Sequence, residues 1–308
     1  TLVIEVSASF NNAPAGAKLK WSAPDPTALS IDTPTANATR VRGIKPGKHD
    51  LDVSLIDAGG NTIASMKLKL SIPQCVTVVE DAALFDAALA DIKLTGQKNA
   101  LADEIKKVVE HLLRKANVRV FWQFGGRAEA LPAHVPAANV VTATFKNKDP
   151  GGDLGATQGP GAADTFNETI DLFPGNYMEE DDIDVDTETQ ALVIQLNEDL
   201  PGDGSLLPLA TTIYGRLIGE TLSHEIGHAL LWDDIPGNGH NAPAIANDLM
   251  NQGVSRMFGQ RTGMENTAQV SPVEPDHFID HGLAAIGDFQ AHNQRLIDNQ
   301  WPVPPAHS

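Results

Sequence analysis

Residues 206–232 read LLPLATTIYGRLIGETLSHEIGHALLW, and the chain continues through DDIPGNGH to residue 240. The run is predominantly apolar and Pro208 stands where a first turn tolerates it, so it predicts one long buried helix. Inside it, His224 and His228 are four residues apart. That spacing returns the second imidazole to nearly the same face, about 6 Å further along the axis. Two rings so placed suit one divalent cation, with Zn–N distances near ~2.0–2.1 Å. Glu225 lies one position round from His224, too far off that line to share the ion but well placed beside a water held by it. Zinc lowers the pKa of such a water towards ~7, and a carboxylate can take its proton and pass it to a leaving amine.

The plainer reading is a pair of satisfied core histidines beside a surface glutamate. At this composition the H-E-x-x-H pattern arises by chance about 0.015 times in such a chain. Unpaired polar groups inside an apolar helix are also costly, and Gly227 permits close packing between the two histidines. The residues therefore point to Zn2+.

A catalytic zinc keeps three protein ligands and one open position. Here HEIGHALLWDD, with NDLMNQG at 247–253, resembles the metzincin clan of metallopeptidases. The pattern of that clan is H-E-x-x-H-x-x-G-x-x-H or D, followed by a methionine turn beneath the metal. The resemblance covers roughly residues 95 to 255. It implies a zinc metalloendopeptidase of α+β fold acting on a protein or peptide substrate, with His224 and His228 on the metal. It makes Glu225 general base and acid, and Met250 the turn methionine; the plainer role for Met250 is an ordinary core residue.

The chain departs from the pattern at two positions. Leu231 replaces the glycine that ends the helix, and Asp234 stands at the third-ligand position, as in the snapalysin branch. Leucine continues a helix, whereas Pro236-Gly237-Asn238-Gly239 is a strong stop, so local physics favours His240 as the third ligand. Asp234 and a downstream carboxylate such as Glu274 are the alternatives. If His240 ligates, Asp233 or Asp234 can accept a hydrogen bond from an imidazole N–H. The oxyanion role stays unassigned: Tyr214 lies ten residues before His224, about 15 Å away on one helix, and Tyr177 would need its loop to fold over the cleft.

Working outward, residues 1–73 read as short alternating strands (LVIEVSASF, KLKWSA, TRVRGI, HDLDVSLID, ASMKLKLSI) between Gly, Pro and Asn turns. This is an all-β sandwich pattern. The order WSAPDPTALSID, then TRVRGIKPGKHDLDVSLID, resembles bacterial immunoglobulin-like modules over about 70 residues. That resemblance implies a spacer or adhesive unit, contacting another protein or the rest of a longer chain.

The metzincin-like resemblance then implies that residues 76–308 form the metallopeptidase domain. Helical spacing runs through DAALFDAALADIKL and NALADEIKKVVEHLLRKA, where Leu101, Ile105, Val108, Val109 and Leu112 share a face. Strands are expected at 117–124, 138–145, 166–175 and 191–196, and the glycine-rich 146–165 as a long loop. In EEDDIDVDTET (179–189), Asp182, Asp184, Asp186 and Glu188 alternate as Ca2+ ligands do, but the full twelve-residue pattern is missing and a solvated acidic loop is preferred. The His277/His281 pair sits among aspartates and reads as an exposed helix face.

A formal charge of −18 argues against a nucleic-acid partner, since phosphate binding needs clustered Lys and Arg, and it serves solubility instead. No segment approaches the roughly 20 apolar residues of a membrane span. The single Cys75 forms no internal disulfide and has no His nearby in sequence for nucleophilic chemistry. No serine-nucleophile elbow or phosphate loop occurs. The chain begins without Met, as an excised or mature form would, and the fusion suggests a secreted bacterial enzyme or a toxin-like effector. The rivals are a binding or structural protein whose C-terminal domain is stapled by zinc, and a zinc hydrolase of cell-wall peptides.

Overall fold

The computed structural model describes residues 2–113, 118–151, 153–158, 169–178 and 207–231, together with His240 and Leu249. Two antiparallel three-stranded sheets come first. One has the order β1 (Val3–Ser7), β4 (Ala38–Gly43), β3 (Leu29–Ile31); the other β2 (Lys18–Ser22), β5 (Gly47–Ile56), β6 (Thr62–Ile72). Strands β2 and β4 alternate buried and exposed residues, so each sheet offers one apolar face. Those faces meet in one core built on Trp21, Leu29, Val41, Leu51 and Val53. Trp21 is 2% exposed, and its indole Nε1–H is satisfied by Ala36 O at 2.8 Å.

After Pro73 the chain enters a five-stranded sheet ordered β10-β11-β9-β7-β8. Its strands are β7 (Gln74–Glu80), β8 (Val118–Gln123), β9 (Val140–Phe145), β10 (Gly155–Gln158) and β11 (Thr169–Leu172). Strand β7 pairs in parallel with both β8 and β9, β11 runs parallel to β9, and β10, the last strand on that side among the described residues, is antiparallel to β11. Strand β7 begins at Gln74, so Cys75 lies within a strand. The expected long loop at 146–165 is corrected, because β10 falls inside it. Four residues rich in Gly and Ala give no alternation to read, and only pairing with β11 makes them a strand.

Among the described residues, three helices cover one face of this sheet: α1 (Ala82–Asp91), α2 (Lys98–Leu113) and α3 (Leu207–Leu231). Asp81 caps α1, its carboxylate accepting from the Leu84 N–H at 3.2 Å. Val76, Val78, Trp122, Val141, Ala143 and Ile170 meet Phe85, Ile105, Leu217 and Ile226 in the helical core. Residues of opposite parity on the same strands, Cys75, Phe121 and Val140, join the core of the N-terminal sheets instead. A sheet buried on both faces explains the unbroken burial of β7 from Gln74 to Val78. Across this junction Asn139 Nδ2 donates to Ile44 O at 2.9 Å.

Helix α3 lies close to α2 because side chains are missing where they meet. A Cβ on Gly215 would stand 2.7 Å from Glu104 Cβ, and one on Gly219 would stand 2.9 Å from Val108 Cβ. Close-packed interiors do not absorb such overlaps. The substitution Gly219→Val is therefore expected to lower the thermal midpoint by roughly 5 °C or more, measured by scanning calorimetry. Burial also pushes the Cys75 thiol up to about 11, leaving it neutral at pH 7 and 2% exposed. Iodoacetamide at neutral pH should spare it in the folded chain and label one thiol per chain after unfolding, as read by mass spectrometry.

Candidate metal centre

Helix α3 is buried along nearly its whole length, and its second half carries a run of buried polar residues: Glu220, Thr221, Ser223, His224, Glu225 and His228. Such groups persist in an interior only when each has a partner. The Ser223 hydroxyl donates to Gly219 O at 2.8 Å, one turn back. His224 Nδ1 stands 2.5 Å from Leu249 O. A carbonyl only accepts, so Nδ1 carries the hydrogen and Nε2 of that ring presents a lone pair.

That lone pair points into a triangle. His224 Nε2 and His228 Nε2 are 2.9 Å apart, and His240 Nε2 is 3.3 Å from each. Hydrogen bonding cannot satisfy the triangle by itself. Each nitrogen is either a donor or an acceptor, so among three mutual neighbours one pair is always alike. A cation resolves the conflict by accepting three lone pairs at once. Ligands about 2.0–2.1 Å from a tetrahedral zinc are separated by about 3.3–3.4 Å, close to the spacings found here. The ring planes fit as well: His228 is nearly perpendicular to both others, at 87° and 83°. The three histidines thus have the geometry to hold a metal ion, and imidazole nitrogen suits zinc, copper, nickel and iron.

Glu225 is 6% exposed and faces β10. Thr157 Oγ1 lies 2.8 Å from Glu225 Oε2 and 3.0 Å from Glu225 O. A Cβ on Gly155 would stand 2.9 Å from Glu225 Cγ, so glycine there is what lets the strand reach the helix. Tyr214, by contrast, is a core residue 2% exposed, its phenol pushed up by burial.

The structure brings together His224, His228 and His240, while Glu225, next to His224 on α3, has its carboxyl against Thr157 of β10. Asp233, Asp234, Met250, Glu274, His277, His281, the acidic stretch 179–189 and the strand expected at 191–196 lie outside the described residues, as does the side chain of Tyr177. Leu249, next to Met250, is fully buried, and its carbonyl contacts His224. Sequence reading missed Gly155, Thr157 and the Leu249 carbonyl. The first two sit in a stretch without periodicity, and a backbone carbonyl carries no residue-type signal. Among the described residues no helix is long and apolar enough to cross a membrane. Comparison of the chain with family models, with curated proteins and with solved structures gives no match.

Chain stripped with a chelator is expected to take up about one Zn2+, raising its thermal midpoint by mass action. His240→Ala should weaken that uptake by more than the roughly 10–100-fold typical of losing a supporting residue, as measured by competition with a chromogenic chelator.

Proposed function

We propose that the chain is a zinc-dependent peptidase, with His224, His228 and His240 as metal ligands and Glu225 as general base and acid. The observation that carries this reading is the conjunction at one end of α3: three converging Nε2 atoms and, on the residue after the first of them, a carboxylate anchored against the neighbouring strand. A structural zinc site has no use for that carboxylate. Zinc held by three imidazoles would supply Lewis acidity towards a carbonyl and would acidify a water at its open position. Glu225 would accept the proton of the attacking water and return it to the departing amine. Strand β10 runs beside Glu225 at the edge of its sheet among the described residues, so an extended peptide pairing with it would be led past the carboxylate.

The metzincin-like resemblance of HEIGHALLWDD and NDLMNQG agrees with this assignment. Met250, one residue after the carbonyl that orients His224, belongs to it as the turn methionine. The N-terminal sheets are assigned to an immunoglobulin-like module that mounts the peptidase on a longer assembly or presents it to a partner. Export from a bacterial cell fits such a fusion.

The test separates metal binding from turnover. Glu225→Gln is expected to keep its zinc, by elemental analysis, while kcat on a quenched fluorogenic peptide library falls about 10²–10⁴-fold. Zinc uptake by the wild-type chain with no cleavage of proteins, peptide libraries or cell-wall peptides would instead leave a zinc-stapled binding protein.

A further inference from the structure

The contact between β10 and Glu225 has a direction. Gly155 and Thr157 are two residues apart on one strand and therefore face the same way, towards α3. At 155 the missing Cβ leaves room: a side chain there would meet Glu225 Cγ at 2.9 Å, Thr221 Cγ2 at 2.9 Å and Glu225 Oε1 at 3.2 Å. At 157 a hydroxyl fills the position, 2.8 Å from Oε2. Threonine is β-branched, so its χ1 is stiff and the hydroxyl direction is set by the strand. Its single hydrogen has two acceptors in reach, Oε2 and the Glu225 carbonyl at 3.0 Å. The side-chain oxygen Oε2 is the nearer of the two.

We propose that Thr157 is a positioning residue for Glu225: its hydroxyl ties down Oε2, Gly155 leaves the space beside Oε1, and the strand thereby selects one orientation of a side chain with several rotamers. The proposal rests on the peptidase reading in assigning Glu225 its chemistry, but the contact itself does not. A strand that stands at the edge of its sheet among the described residues, where a substrate peptide would pair, couples the placement of the base to that of the peptide. A base displaced by about 1 Å loses on the order of 10²-fold in rate without loss of binding, because proximity rather than affinity suffers.

Thr157→Val keeps the shape and β-branching and removes the hydroxyl. It is expected to lower kcat about 10–100-fold with KM and zinc content unchanged, and Thr157→Ser to recover most of the loss. A second measurement needs neither metal nor substrate. In the chelator-stripped chain, Thr157→Val should lower the thermal midpoint in the wild-type background and change it far less when Glu225 is already alanine, since coupled residues are not additive. Unchanged kcat in Thr157→Val, a valine and a serine variant equally impaired, or strict additivity in the stripped chain would each overturn the proposal. Should the wild-type chain prove to have no turnover, the peptidase reading falls and the stripped-chain cycle still decides the contact.

Discussion

How near α3 can lie to its two neighbours governs the rest of this structure, and absent side chains set that distance. Gly215 and Gly219 bring the helix against Glu104 and Val108 of α2, while Gly155 brings β10 against Glu225. A helix pressed this closely on both sides is dehydrated along most of its length. The polar residues in its second half must then find partners inside the protein, because water no longer competes for them. Those partners, among them the Leu249 carbonyl and the Thr157 hydroxyl, orient the histidines and the glutamate. Packing along the helix thus bears on the chemistry of its second half.

The sheet beneath the helices is steadied from both faces. Val76 and Val78 point into the helical core, and Cys75 on the same strand points into the core shared with the N-terminal sheets. The two units are therefore joined by apolar burial as well as by the chain passing through Pro73. A mostly parallel sheet covered on both sides is a stiff platform. Stiffness matters for a site whose three nitrogens must keep their spacing to within a few tenths of an ångström.

Much of the secondary structure was legible in the residues. Helix α3 occupies Leu207–Leu231, within the apolar run that predicted it, and β8 and β9 fall inside the stretches 117–124 and 138–145. These elements are long or strongly patterned, and local periodicity is enough to declare them. Strands β7 and β10 were not legible, for opposite reasons. QCVTVVE is buried on both faces at its start and loses the alternation that marks a half-exposed strand. GATQ is short and small-sided, and becomes a strand only because β11 supplies its hydrogen-bonding partner.

At the site the same division holds. Spacing within one helix is a covalent property, so His224 and His228 sharing a face, with Glu225 beside them, followed from the sequence alone. His240 was expected at the metal from the stop at 236–239 before it, but the approach of groups from outside the helix depended on tertiary structure. His240 comes within 3.3 Å of both other rings after a connection of twelve residues from His228. The carbonyl that selects the tautomer of His224 comes from Leu249, and the hydroxyl on Glu225 from a strand 68 residues earlier. Local geometry is dictated by bond lengths and helix pitch. Long-range convergence is decided by which surfaces the folded chain buries together, and no short window of sequence contains both Thr157 and Glu225.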